Sequence, residues 1–196
     1  MISILTGDII ESRQADPKIW LPALETALRQ SAQKFDIFRG DSFQAEVKLE
    51  DTFKTVFYLK SAMLHVNLDV RIGVGIGEKE VDALHIKNAF GSALIYSGEA
   101  FESLKRDTIS VKSANLEYDN MCNIMMALSA DLCGRWTSNM AEIVMTTLLH
   151  EDSNQIELAR LLNRKHQSQI STALQKANYG SIKKAIDYCT QELLRL

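Results

Sequence analysis

Val70-Arg71-Ile72-Gly73-Val74-Gly75-Ile76-Gly77 alternates without a break, and all three glycines fall on one side of the alternation. Successive side chains of an extended strand point to opposite faces. Ile72, Val74 and Ile76 therefore share one face, and Gly73, Gly75 and Gly77 leave the other bare. A bare strand face lets another backbone, a helix or a ligand approach closely. The run is not a phosphate loop, because the spacing is not G-x-G-x-x-G and no Lys-Ser/Thr follows. Two readings stay open: packing against the following helical segment, which carries Gly91 and Gly98, or ligand contact, in which Gly75 and Gly77 would touch a nucleotide.

The neighbouring segments build a sheet around this strand. Met1 to about Asp8 is apolar on both faces, as a covered central strand requires. A helix is expected from about Ile19 to Ser31, with Trp20, Leu24, Ala27 and Leu28 inward and Pro22 in its first turn. Phe35 to Phe38, the Arg39-Gly40-Asp41 break and Ser42 to Val47 give a hairpin. Asp51 can cap a helix carrying Phe53, Val56, Phe57 and Leu64. A helix from about Asn88 to Lys105, with Phe90, Leu94, Phe101 and Leu104 on one face, precedes a short strand from Thr108 to Lys112. The first six elements follow the βαββαβ plan, so the fold class expected is α+β: a ferredoxin-like, cyclase/palm-type sheet domain over residues 1–135, closed by an apolar helix from Tyr118 to about Arg135.

Residues 136–196 carry helical patterns only, expected as a four-helix domain of helix-turn-helix type. Met140, Ile143, Val144 and Leu148 mark its first helix. Asn154 to Glu157 forms a capping box opening the second, with Ile156, Ala159 and Leu162 inward. Gln167 to Lys176 is the third, with Ile170 and Leu174 inward, and Ile182, Ile186, Cys189 and Leu193 mark the last. Arg164 and Lys165 in the turn suit phosphates, as does Lys176; Gln167, Ser168, Gln169, Ser171 and Thr172 follow on the same exposed helix face and suit base edges. A bundle that mediates only protein contact carries the same pattern, so both readings stand.

In a βαββαβ sheet the first strand ends beside the turn joining the second and third. Those places hold Asp8 and Asp41. Two carboxylates meeting at one rim can bridge a hard cation such as Mg²⁺ and present phosphate oxygens to it. The competing reading is structural, since Asp after Gly is a common turn residue.

Thr6-Gly7-Asp8-Ile9-Ile10-Glu11-Ser12-Arg13, Arg39-Gly40-Asp41-Ser42-Phe43-Gln44, the glycine strand, and Gly91 through Phe101 together resemble the SatD family, over nearly the whole chain. The same blocks are more distantly similar to class III nucleotide cyclases and diguanylate cyclases. That similarity implies metal-binding roles for Asp8 and Asp41 and makes Ser42, which stands where diguanylate cyclases place a metal-binding Glu, a candidate nucleotide contact. The catalytic Asn and Arg positions of class III cyclases are Ile95 and Glu99 here. An apolar side chain cannot orient a ribose, and a carboxylate repels developing phosphate charge. No catalytic residue is assigned.

Net charge is −3. From Thr137 onward seven Lys/Arg face six Asp/Glu, leaving −4 on the preceding part, so any nucleic-acid contact must come from local clustering rather than bulk charge. Cys122, Cys133 and Cys189 are widely spaced without C-x-x-C and fit reduced core thiols in a cytoplasmic protein. The start of the chain has no secretory signal pattern, and no run is long enough for a membrane span. The expected function is a DNA-binding regulatory protein whose cyclase-like domain is a degenerate metal- or nucleotide-binding sensor. The alternatives are a Mg²⁺-dependent nucleotide-processing enzyme and a non-catalytic protein–protein adaptor. A homodimer without membrane contact is expected.

Overall fold

A computed structural model describes residues 1–81 and 85–196. The described residues form an α+β protein with a mixed five-stranded sheet and eight α-helices. The strands are β1 (Ile2–Ile10), β2 (Lys34–Phe38), β3 (Ser42–Val47), β4 (Asp69–Gly77) and β5 (Ile109–Lys112). The helices are α1 (Pro17–Ser31), α2 (Thr52–His65), α3 (Ser92–Ser103), α4 (Leu116–Cys133), α5 (Ser138–Leu149), α6 (Gln155–Leu161), α7 (Gln167–Lys176) and α8 (Tyr179–Leu193).

The sheet order is β2-β3-β1-β4-β5, with β1 antiparallel to both its neighbours and β4 parallel to β5. Register assigns the faces. Asp8 lies opposite Arg71, Thr6 opposite Gly73 and Ile4 opposite Gly75, so these residues share one face. Leu5, Ile9, Phe43, Ala45, Ile72 and Val74 turn to the other face and join the main core with α1 and α2. The hairpin turn spans residues 39–41, with Arg39 and Gly40 at φ 55° and 93°.

Several boundaries differ from the sequence expectation for identifiable reasons. Asp16 caps α1 by accepting the Lys18 N–H at 2.9 Å, and Pro17 supplies its first residue. Pro22 therefore falls beyond the first turn, inside the helix. Asp51 precedes α2 but makes no side-chain cap. Thr52 ties that turn instead, through Lys48 C=O at 3.2 Å and Ser3 Oγ at 2.6 Å. The third sheet-domain helix starts at Ser92, because Gly91 at φ 153° cannot continue a helix backward. Phe90, expected on its inner face, is 56% exposed.

α2 is buried almost all round, including Tyr58, Leu59, Ala62 and Met63, because the sheet covers one side and α5 and α8 the other. One hydrophobic core runs from β1 through α2 and α4 into Ala141, Leu148, Ile182, Cys189 and Leu193, without a break at residue 136. Trp136 itself donates from Nε1 to Ala177 C=O at 2.9 Å, joining the start of the tail to its third helix. A smaller cluster of Ile143, Leu158, Ala159, Ile170 and Ala173 holds α5, α6 and α7 together. Ile156, expected inward, is 56% exposed, and Leu158 takes the inward place on α6. Among the described residues no helix is long and apolar enough to cross a membrane.

Candidate functional site

The rim at the end of β1 brings together the backbones of both candidate acids. Asp8 lies opposite Ser42 on β3, and Ile9 N–H donates to Asp41 C=O at 3.2 Å. Their carboxylates, however, have separate partners. Arg71 donates to Asp8 through Nε at 2.9 Å and Nη2 at 2.5 Å, a two-pronged ion pair using both carboxylate oxygens. The guanidinium also lies over the Phe101 ring, 5.6 Å from its centroid. The Asp8 hydrogen bond is the main cause that raises the Arg71 pKa above its ordinary value. The Asp41 carboxylate accepts the Ser12 hydroxyl at 2.5 Å, and Ser12 is buried.

The Arg71 guanidinium therefore supplies the positive charge beside Asp8. Each Asp8 oxygen accepts one bond from Arg71 and one Asp41 oxygen accepts from Ser12, so a cation held by both acids would have to share these carboxylates with those partners or displace them. Among the described residues no group of three or more His, Cys, Asp or Glu is placed to hold one. Arg71 was not singled out from the sequence, although its place in the alternation put it on the glycine face, level with Asp8.

The rest of that sheet face is internally matched. Thr6 Oγ1 and Ser97 Oγ are hydrogen-bonded at 2.9 Å, and Gln44 Nε2 donates to Thr6 Oγ1 at 3.3 Å. Lys79 Nζ reaches both oxygens of buried Glu46, at 2.8 and 3.0 Å. The turn around buried Ile86 packs on β2 and β3.

The glycines form a seat for α3. A Cβ on Gly75 would lie 2.1 Å from Ala93 O and 2.2 Å from Ser97 N, and one on Gly73 would lie 2.3 Å from Phe101 N. The expected nucleotide contact at Gly75 is corrected accordingly, since helix backbone already fills that space. A Cβ on Gly77 would meet Ser92 Oγ at 2.5 Å. Gly77 also borders a cavity of about 280 Å³ that includes Ser92, Tyr96, Ser113 and Leu196. The helical partner is not glycine: Gly98 has nothing within 4 Å of an added Cβ. Ala93 and Ser97 make the close approach instead. Ile95 is 48% exposed, and Glu99 pairs with Lys112 at 2.7 Å.

In the tail, Asn154 accepts the N–H groups of Ile156 and Glu157, and Glu157 accepts the Asn154 N–H at 2.8 Å, so the capping box is present. Lys165, Gln167, Ser168, Gln169, Thr172 and Lys176 are exposed, with Ser171 half-buried. Lys165 and Lys176 form no ion pair among the described residues. Two of the polar groups are partly engaged: Gln169 accepts the His166 N–H at 3.2 Å, and Gln167 bonds Gln155. A groove of about 440 Å³ runs between the start of α5 (Thr137, Asn139) and the α7 row of Ser168, Thr172 and Lys176. Arg164 departs from expectation. It faces α5, bonded to Asn139 and Glu142, rather than outward with Lys165.

Three structural polar sites had no sequence signal. Asn123 on α4 donates to Val111 C=O at 2.9 Å and accepts Val111 N–H at 2.7 Å, imitating a sixth strand at the β5 edge. Buried Asp119 accepts Ser113 N–H and Oγ–H at 2.9 and 2.6 Å. Lys60, 1% exposed, pairs with Asp69 at 2.7 Å and Thr108 Oγ1 at 2.9 Å. The cysteines are buried and free, and burial pushes the Cys133 thiol up to about 12, away from nucleophilic use. No protein-family model, curated protein or solved structure matches this chain.

Proposed function

We propose that this is a DNA-binding regulatory protein of SatD type, in which a helix-turn-helix tail contacts DNA and a ferredoxin-like, cyclase/palm-type sheet unit serves as a non-catalytic sensing or assembly module. The observation that carries the reading is the uncovered polar row of α7. Helices α5, α6 and α7 share a small apolar cluster, and α7 turns Ser168, Thr172 and Lys176 away from it, beside exposed Lys165. The antiparallel order β2-β3-β1-β4 supports the ferredoxin-like reading. The Arg71–Asp8 pair supports the non-catalytic one, because a Mg²⁺-dependent step would have to share Asp8 with Arg71 or displace it. Exposed Ile124 and Leu128 on α4 give the homodimer reading an apolar surface.

The test uses the full chain and a fluorescein-labelled duplex pool of random sequence, followed by anisotropy at several salt concentrations. Binding should weaken steeply with salt, and Lys165→Ala and Lys176→Ala should each reduce the slope of log K against log salt by about one. No binding at low salt, or binding indifferent to both changes, leaves the protein–protein adaptor as the better account.

A further inference from the structure

Arg164 occupies the turn where a phosphate contact would be expected, yet its side chain runs back into the protein. Nη2 donates to Asn139 Oδ1 at 2.8 Å and to Glu142 Oε2 at 2.6 Å, both on α5. The backbone is anchored as well. Asn163 turns the chain at φ 52°, and Arg164 N–H donates to Ala159 C=O at 2.7 Å. Asn139 and Glu142 are three residues apart and so face the same way on their helix. Glu142 adjoins Ile143, the α5 member of the cluster that holds α6 and α7. The Arg164 side chain is 30% exposed, and its Nε is buried without a hydrogen-bond partner.

We propose that Arg164 is a positioning residue that sets α7 against α5, so that the row from Lys165 to Lys176 meets a DNA duplex together, and that it takes no phosphate itself. The inference rests on the DNA reading above. It opposes two other roles for the same side chain. One is a direct phosphate ligand. The other is an inhibitory latch, in which Glu142 withholds the guanidinium from DNA.

The full chain and the same labelled duplex pool separate these roles. Arg164→Lys keeps the charge but loses the planar fork. Positioning predicts about tenfold weaker binding with the salt slope unchanged, since no phosphate contact disappears. Glu142→Gln should weaken binding similarly, and Arg164→Glu combined with Glu142→Arg should recover most of the affinity. Amide hydrogen exchange along α7 should quicken in both single variants and slow again in the exchanged pair. Normal binding by Arg164→Lys, with about one unit of slope lost only in Arg164→Ala, makes Arg164 a phosphate ligand and overturns the proposal. Tighter binding by Glu142→Gln makes the pair a latch and also overturns it. So does a lowered melting temperature with undiminished affinity, which marks a role in stability alone. If the unaltered chain shows no salt-dependent binding, the DNA reading fails and takes the proposal with it, a result distinct from the other three.

Discussion

Gly75 and Gly98 should respond to the same substitution with opposite signs. A methyl group at Gly75 meets Ala93 O at 2.1 Å and Ser97 N at 2.2 Å, both backbone atoms of α3. Neither can swing aside as a flexible side chain would, so the helix must retreat by about 1 Å to reach tolerable contact, in an interior packed without spare room. That retreat loosens the Thr6–Ser97 hydrogen bond and the contact at Gly73. Overpacking of this kind costs about 1–3 kcal/mol, and backbone-limited relief puts Gly75→Ala near about 3 kcal/mol. The small gain from removing glycine from a strand, roughly 0.5–1 kcal/mol, offsets only part of it. Gly98→Ala adds a methyl group with nothing within 4 Å and lies inside α3. It should stabilise by about 0.5–1 kcal/mol. Guanidinium denaturation followed by circular dichroism reads both as shifts in midpoint at unchanged slope. If Gly75→Ala stays within about 0.5 kcal/mol of the parent, α3 is not seated on this strand and the reasoning fails.

Two further perturbations test other parts of the fold. Asp119→Ala removes the carboxylate that accepts the N–H and hydroxyl of buried Ser113 and should cost about 3 kcal/mol in denaturant unfolding, with Asp119→Asn near half that; an unchanged midpoint would remove Asp119 as a structural anchor. For Glu151, burial pushes the carboxyl up, but the hydrogen bond and charge of Lys54, at 2.7 Å, together with Lys183, outweigh it and hold the pKa below the ordinary value. A depressed folded pKa contributes stability above the unfolded value, and that contribution is lost as pH falls through the folded one. Glu151→Gln should therefore melt below the parent at neutral pH, and the gap should close below about pH 4; a gap independent of pH refutes the assignment.

Much of the architecture was legible because periodicity is a local property. The alternation of β4 needs only its own residues, and so does the capping box at Asn154. The small side chain at Ala159 and the apolar spacing of α8 likewise marked positions that the structure buries. The errors fell where a neighbour decides. α2 carries more buried residues than one helical face can hold, because a second layer covers it. Ile156 looked inward by spacing and is exposed, because α7 meets α6 through Leu158 and Ala159.

The candidate sites divide in the same way. Residue order alone made Asp8, Asp41, the glycine face and the polar row of α7 chemically conspicuous, since strand parity and helix spacing follow from covalent geometry. It carried no information about which partner each charged group would choose. Arg71 reaches Asp8 across an interstrand register, Ser12 reaches Asp41 over a turn, and Glu142 reaches Arg164 between helices. Those pairings depend on distances between segments remote in the chain, and only packing sets such distances.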